Sequence, residues 1–387
     1  MIEAFGETDR RFMQQALRLA ERGRGQTRPN PVVGAVVVKD GAVIARGFHH
    51  RAGQPHAEIE ALAALKMRAP HATLYVTLEP CCHRGRTGPC TEAILASGIS
   101  RVVVGCRDEN PLVNGRGMAI LRKAGIRVDA GCLEDECRRA NRTFFCWVKK
   151  KRPWVTLKAA ATLDGFIGDR QEKARRGPQR WITGEAARSY AHELRAQHDA
   201  ILVGVGTVLA DDPRLTVRLP KANAYHPLPL RIVLDSQLRT PPDAAMFGEK
   251  SQTPLLVAAE TPQLHRRLLA RQRALEAAGA EIWFAPATPD GRVALPPLMR
   301  RLAGREIQSL LLEGGSRVHG AFIAAGLVDS VALFLAPRLV GAGVSIVEGA
   351  GLDWRKPATL GSLAVRVLGD DVLLTADVIT RGRRRRS

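Results

Sequence analysis

The tightest constraint on this chain is a set of three residues, His56, Cys81 and Cys90, in the settings His56-Ala57-Glu58, Glu79-Pro80-Cys81-Cys82-His83 and Pro89-Cys90. One imidazole and two thiolates hold a zinc ion and leave the fourth corner of its tetrahedron open, the arrangement of a catalytic rather than a structural zinc. The fold must therefore bring separate turns to one point. The apolar run Thr73–Thr77 is expected to be a strand that delivers Glu79 and Cys81 to its carboxyl end, where the sites of α/β sheets lie. A helix over His56–Met67 would carry His56 and Glu58 in its first turn, and a second over Pro89–Ser97 would help to hold Cys90 as a thiolate. Water in the open corner loses a proton near neutral pH, and Glu58 is the group expected to move protons.

His-x-Glu followed by Pro-Cys is the signature of zinc-dependent base deaminases. The second half departs from it, because eight residues rather than two separate Cys81 from Cys90. Gly85, Gly88 and Pro89 let such a loop fold back. Singly, His56 reads as an ordinary half-buried histidine and the cysteines as inert core thiols. Jointly they point to a metal. The motif places the ligand directly after proline, which favours Cys81 over Cys82.

All seven cysteines lie within the first 146 of 387 residues, so the two halves differ in chemistry. An odd cysteine count around a metal motif argues against a disulfide framework and for a reducing compartment, the cytoplasm. No secretory leader and no apolar run of membrane-spanning length is seen. The net charge of +20 fits either nucleic acid or an anionic small substrate. Five of those charges are arginines within residues 381–387, a run read as a solvated, disordered end because no aromatic residue is interleaved with it.

Along the chain, a helix at Thr8–Arg22 and a hairpin of Val32–Val38 with Val43–Phe48 precede strands at Thr73–Thr77, Arg101–Gly105 and Arg127–Ala130. With a helix at Met118–Lys123, this predicts a three-layer α/β/α unit. Lys149-Lys150-Lys151-Arg152-Pro153 reads as a linker, giving domains of 1–150 and 151–380 and a basic tail of 381–387. The second domain is expected to be mostly parallel α/β with an antiparallel close. Its strands are placed at Trp154–Ala161, Ala200–Val205, Leu230–Leu234, Pro254–Ala258, Glu281–Ala285 and Ser309–Leu312, and its closing pair at Val331–Pro337 and Asp371–Ile379. There Glu313-Gly314-Gly315-Ser316 carries a strand through glycines into a helix, where backbone amides can approach a pyrophosphate; a plain tight turn is the alternative. Gly204-Val205-Gly206-Thr207 repeats the idea. Asp211-Asp212-Pro213 reads as a capped loop, and Arg195 and Arg218 could grip a sugar phosphate.

This combination resembles the bacterial bifunctional riboflavin-biosynthesis deaminase/reductases over nearly the whole chain. The resemblance rests on Pro29-Asn30-Pro31-Val32-Val33-Gly34, His56-Ala57-Glu58, Thr77-Leu78-Glu79-Pro80-Cys81, Pro89-Cys90, Asn110-Pro111 and Gly115-Arg116-Gly117 in the first half. In the second it rests on Leu157-Lys158, Leu163-Asp164-Gly165, Trp181-Ile182-Thr183, Thr207–Pro213, Asp235-Ser236 and Glu313-Gly314-Gly315. It implies a cytidine-deaminase-like α/β/α domain followed by a dihydrofolate-reductase-like α/β domain. The first would remove the 2-amino group of 2,5-diamino-6-(5-phosphoribosylamino)pyrimidin-4(3H)-one with one zinc; the second would reduce the ribosyl group to ribityl with NADPH.

By position, the resemblance implies His56, Cys81 and Cys90 as zinc ligands and Glu58 as proton shuttle. Asn30, His49, His83, Arg86, Asp108 and Asn110 would contact the deaminase substrate. Gln179, Arg195, Leu215, Arg218 and Glu313 would contact the reductase substrate. Ala160, Trp181, Thr207, Asp211, Ser236, Gly315, Ser316, Arg317, Val318, His319, Gly320 and Ala321 would line the NADPH site. Ala160 and Gln179 stand where relatives are expected to have glycine and serine. The expected partners are a small phosphorylated pyrimidine and further copies of the chain, with no membrane and no nucleic acid. Two alternatives stay open on the residues alone: a tRNA or nucleobase deaminase with an unrelated appendage, and a closed structural zinc module using Cys82 or His83 as fourth ligand.

Overall fold

The computed structural model describes residues 5–84, 88–170, 181–219, 228–249, 252–260, 262–352 and 355–379. The chain divides into two units, Met1–Lys151 and Arg152–Ser387.

In the first unit, α1 (Glu7–Glu21) buries Phe12, Met13, Ala16 and Ala20, the helical spacing of one apolar stripe. It leads to a hairpin of β1 (Gly34–Lys39) and β2 (Ala42–Phe48). Then come α2 (Ala57–Ala63), β3 (Thr73–Leu78), α3 (Cys90–Ser97), β4 (Arg101–Cys106), α4 (Arg116–Lys123), β5 (Arg127–Ala130), α5 (Glu134–Ala140) and α6 (Arg142–Lys150). The sheet order is β2-β1-β3-β4-β5, with β3, β4 and β5 parallel. Alternate residues of the strands feed two cores. Leu74, Val76, Val102 and Val104 pack with Leu62 of α2, Ile94 of α3 and Leu121 of α4. Val36, Tyr75 and Val103 pack on the other face with Phe12 and Met13 of α1 and with Phe144, Phe145 and Val148 of α6. The period of two along a strand therefore produces the three layers.

Two differences from the sequence reading matter. Residues 134–140 and 142–150, given no element by the sequence reading, form α5 and α6, and Lys149 and Lys150, which read as the start of a linker, are in the last turn of α6, where cations suit the carboxyl end of a helix. α2 starts at Ala57 and α3 at Cys90, so His56 and Pro89 are extended N-cap residues rather than helical ones.

The second unit contains β6 (Trp154–Thr162), β7 (Phe166–Gly168), α7 (Glu185–Gln197), β8 (Ala200–Gly204), α8 (Val205–Asp211), β9 (Leu230–Leu234), β10 (Leu255–Glu260), α9 (Pro262–Ala277) and β11 (Glu281–Pro286). It continues with α10 (Leu295–Gly304), β12 (Ser309–Gly314), α11 (Ser316–Ala324), β13 (Ser330–Ala336), β14 (Val344–Ser345), β15 (Thr359–Leu360), β16 (Ala364–Leu368) and β17 (Asp371–Ile379). Its large sheet runs β11-β10-β9-β8-β12-β6-β13-β17-β15, with β16 also on β17. The strands from β11 to β13 are parallel, and β17 closes the sheet antiparallel to β13. The apolar runs Val155–Leu157, Ala200–Val203 and Leu310–Leu312 are buried on both faces, as central parallel strands must be. Residues 205–211 form α8 directly after Gly204, the strand-into-helix turn expected at Gly204-Val205-Gly206-Thr207, and Asp211, expected in a capped loop, is its last residue. Among the described residues no helix is long and apolar enough to cross a membrane.

Candidate functional site

In the first unit the carboxyl end of β3 meets the amino ends of α2 and α3. Leu78 is the last residue of β3, and Glu79-Pro80 carries the chain outward to Cys81. The Thr91 N–H donates to the Cys81 carbonyl at 3.2 Å and the Cys90 N–H to the Cys81 sulfur at 3.3 Å, which fastens the two cysteine turns together. His56 Nδ1 lies 3.2 Å from Cys90 Sγ and 3.5 Å from Cys81 Sγ, and the ligand atoms of all three lie within 4.8 Å of one another. Tetrahedral zinc at its usual bond lengths separates neighbouring nitrogen and sulfur donors by about 3.5–3.8 Å. The three donors fit such an ion. Cys82 stands aside, its sulfur 3.7 Å from the Leu112 carbonyl.

The two sulfurs of Cys81 and Cys90 share one hydrogen bond and shift in opposite directions. The hydrogen bond from Cys90, with His56 adding to it against the effect of burial, drives the Cys81 thiol down to about 4, and the same bond pushes Cys90 up. Glu58, buried in the first turn of α2, is raised to about 7, first by burial and then by Cys81. His49 lies beside this group, its ring 5.2 Å from that of His56. Its Nδ1 faces the Pro55 carbonyl at 3.0 Å and its Nε2 faces Asn30 Nδ2 at 3.1 Å, so Asn30 is drawn to the same end of the sheet.

Asp108 follows β4, is buried, and is raised to about 7 by that burial; its carboxylate accepts the Asn110 N–H at 2.8 Å. The His83 Nδ1 is a buried atom without a hydrogen-bond partner. Arg86 lies outside the described residues.

In the second unit, Glu313 near the end of β12 is gripped by Arg195 through two hydrogen bonds of 2.6 and 2.7 Å, and the third nitrogen of Arg195 donates to the Thr216 carbonyl at 2.9 Å. Lys158 on β6 is 3.7 Å from the same carboxylate. Burial raises Glu313, but Arg195 and then Lys158 outweigh it and bring the carboxyl to about 2. The fork of Arg195 is thus committed to Glu313, and the bidentate phosphate grip read from sequence is not available to it in this arrangement. Leu215 is buried in a left-handed conformation (φ 53°), and Arg218 donates to Thr216 Oγ1 at 3.1 Å and, through its backbone N–H, to His192 Nδ1 at 3.2 Å. Sequence reasoning missed Lys158 as a member of this group. Its signal was a lysine inside an otherwise apolar strand, since such a residue is seldom buried unless paired. Gln179 lies outside the described residues.

The adjacent parallel strands β8 and β12 both end in glycine and turn directly into helices, α8 and α11. Gly315, the N-cap of α11, has φ +74°, which only glycine adopts without strain, and a Cβ there would meet Thr207 Oγ1 at 3.1 Å. Ser316 Oγ and His319 Nε2 are buried without hydrogen-bond partners. An orphaned hydroxyl in the first turn of a helix behind paired glycines fits a nucleotide phosphate.

The other members of the expected cofactor run differ in their surroundings. Val318 and Ala321 pack into the apolar core, Gly320 lies against the Glu348 carbonyl, and Arg317 is exposed. Ala160 packs with Ala187 and Phe334, Asp211 ends α8, and Ser236 Oγ accepts the Val293 N–H at 3.3 Å. Trp181 is exposed beneath the Arg188 guanidinium, 5.1 Å from its ring centre.

Chemically, the first unit is a zinc-dependent deaminase and the second an NADPH-dependent reductase. Residues 6–106 match the cytidine and deoxycytidylate deaminase zinc-binding region, and residues 153–374 match the RibD C-terminal domain. The chain is 40% identical to the riboflavin biosynthesis protein RibD of Aquifex aeolicus over 369 residues, 95% of this chain and 98% of the relative. It is 40% identical to that of Escherichia coli over 346 residues, 86% of this chain and 89% of the relative. A solved structure of Acinetobacter baumannii RibD superposes with a TM-score of 0.83 at 35% identity, covering 97% of this chain and 99% of that one. A deaminase/reductase from Thermotoga maritima gives 0.81 at 36%, covering 96% and 99%. The chain belongs to the RibD family of bifunctional riboflavin-biosynthesis deaminase/reductases.

Proposed function

We propose that the first unit deaminates 2,5-diamino-6-(5-phosphoribosylamino)pyrimidin-4(3H)-one and that the second reduces the ribosyl group of the product to ribityl. The Thermotoga maritima relative is described as a diaminohydroxyphosphoribosylaminopyrimidine deaminase/5-amino-6-(5-phosphoribosylamino)uracil reductase, which supports this substrate. The observation that carries the reading is the buried Glu58 carboxyl beside the His56, Cys81 and Cys90 donors.

His56, Cys81 and Cys90 would hold a zinc ion, which would supply a Lewis acid that makes water nucleophilic near neutral pH. Glu58 would carry one proton of the attacking water to the ring nitrogen and then the second, from the new C2 hydroxyl, to the departing amino group, so that C2–NH2 becomes a carbonyl and ammonia leaves. Asp108 and Asn110 hold the pyrimidine, with Asn30, His49, His83 and Arg86 completing its contacts. NADPH bound in the second unit would supply the hydride that reduces the opened sugar. Ser316 and the backbone at Gly315 would hold its phosphate, and Arg195 and Lys158 would hold Glu313 against the sugar. Gln179, Leu215 and Arg218 take the rest of the substrate, whose phosphate gives the basic body its use.

Incubating the pure protein with the diaminopyrimidinone phosphate and NADPH should give ammonia and oxidised cofactor, and absence of both ends this reading. We further infer a cytoplasmic homo-oligomer that does not take nucleic acid. All seven cysteines are free, as a reducing compartment requires. β16 leaves Val365 and Val367 64% and 70% exposed at a sheet edge, a surface suited to a second copy of the chain. Light scattering at micromolar concentration tests the assembly.

A further inference from the structure

Glu79 carries none of the chemistry above, yet its carboxylate is buried and accepts three backbone N–H groups. Oε2 takes those of Asp108 at 3.2 Å and Gly115 at 2.9 Å, and Oε1 takes that of Met118 at 3.2 Å. Two of these donors bracket the loop between β4 and α4, the loop that carries Asp108 and Asn110. The third is in the first turn of α4. Gly115 is the N-cap there, in a left-handed conformation (φ +90°) and with no side chain to offer. Glu79 therefore supplies from a distant strand the acceptor that a capping residue would otherwise provide, and its charge suits the amino end of a helix.

The other end of the lever is the metal turn. The Glu79 N–H donates to the Cys106 carbonyl at 3.0 Å, so its backbone continues the pairing of β3 with β4, and Cys81 is two residues further on. Gly117 packs so closely on the Pro80 carbonyl that a Cβ would collide with it. Within the loop, Asn110 Oδ1 accepts the Leu112 N–H at 3.1 Å, which makes the segment between the two anchors stiff.

We propose that Glu79 is a positioning residue for deamination, locking the loop of Asp108 and Asn110 onto the turn of Cys81 and so fixing the distance between the pyrimidine contacts and the metal centre. This rests on the reading of Asp108 and Asn110 as substrate contacts. A glutamine at this position would turn an amide donor toward at least one backbone donor, and an alanine would leave three N–H groups without their acceptor.

The test uses the full-length, zinc-loaded chain with Glu79→Gln and Glu79→Ala, recording kcat and KM for ammonia release, zinc content, and reduction by the same molecule. Glu79→Gln should raise KM about ten- to hundredfold, the size of a lost charge-assisted hydrogen bond, with wild-type zinc content and unchanged reduction. Its kcat should stay within about threefold of wild type, because the groups that act on the reacting atoms are held elsewhere. Asp108→Ala should then cost less in the Glu79→Gln background than in the wild type, since the two act as one unit. Loss of kcat at unchanged KM, loss of zinc, or an Asp108→Ala cost equal in both backgrounds would overturn the proposal. Should the alanine variant not fold, the glutamine variant and the cycle decide it. Ammonia release by the wild type, measured in the same series, tests the functional reading separately.

Discussion

The two sites solve the same problem, holding charged groups out of water, in opposite ways. The deaminase site draws its metal donors from residues 56–90, and at its centre the Glu58 carboxyl is pushed up to about 7 by burial and then by the neighbouring Cys81 sulfur. The reductase site draws Lys158, Arg195 and Glu313 from β6, α7 and β12, and there two cations bring a buried carboxyl down to about 2. One centre gathers sulfur and nitrogen donors suited to a metal ion; in the other, two cations of the chain itself face one carboxylate. The difference teaches that the first depends on an ion and the second depends on its own fold.

Removing that ion is the largest intervention. Dialysis against a strong chelator should abolish ammonia release while NADPH oxidation with the deaminated substrate continues, and readdition of zinc should restore the first activity. Parallel loss of both activities would break the contrast between the units. Glu58→Gln keeps the donors and removes the proton carrier, so it should lower kcat for deamination by about 10²–10⁴-fold with zinc still bound.

The second site should respond through stability as well as activity. Glu313→Gln leaves Arg195 and Lys158 as buried cations without their anion, and breaking such a pair costs about 3–5 kcal/mol. Denaturant unfolding followed by tryptophan fluorescence would read it. The pH dependence has a definite sign. Glu313 lies below its ordinary value of 4.5 when folded, so its contribution is complete above pH 4.5 and is lost as pH falls from there toward 2. Unfolding of the second unit should steepen across that window in the wild type and not in Glu313→Gln. Equal slopes would mean that the carboxyl is not held by its two cations.

The same contrast explains what could be read from the sequence. His56, Glu58, Cys81 and Cys90 could be singled out because His-x-Glu and Pro-Cys form one short signature and because metal ligands come in few chemical kinds. The α/β/α layering followed from strands such as β3 and β4, whose central residues Leu74-Tyr75-Val76 and Val102-Val103-Val104 are apolar on both faces. α5 and α6 were hidden by reading Lys149–Pro153 as a linker, although Phe144, Phe145 and Val148 have the spacing of one helical face. The start of α8 was signalled by Gly204 and Gly206 after a strand, but its extent was hidden by Asp211-Asp212-Pro213, which speaks for a capped loop. The pairing of Arg195 with Glu313 could not be read at all. It depends on α7 lying over β12, 118 residues away in sequence, and no local pattern encodes which strands of a parallel sheet become neighbours.

The smallest effect belongs to the cofactor end of the second unit. Ser316 Oγ is a buried hydroxyl with no partner of its own, so deleting it removes nothing the folded chain uses internally. Ser316→Ala should therefore leave the unfolding midpoint unchanged or slightly raised, since an unsatisfied buried polar atom carries a desolvation cost. If the hydroxyl meets a phosphate oxygen, the same substitution should raise KM for NADPH by roughly three- to tenfold, the value of one modest hydrogen bond, with kcat and deamination unaltered. A stability loss without a change in KM would assign Ser316 to the packing of α11 and leave the backbone at Gly315 as the phosphate contact.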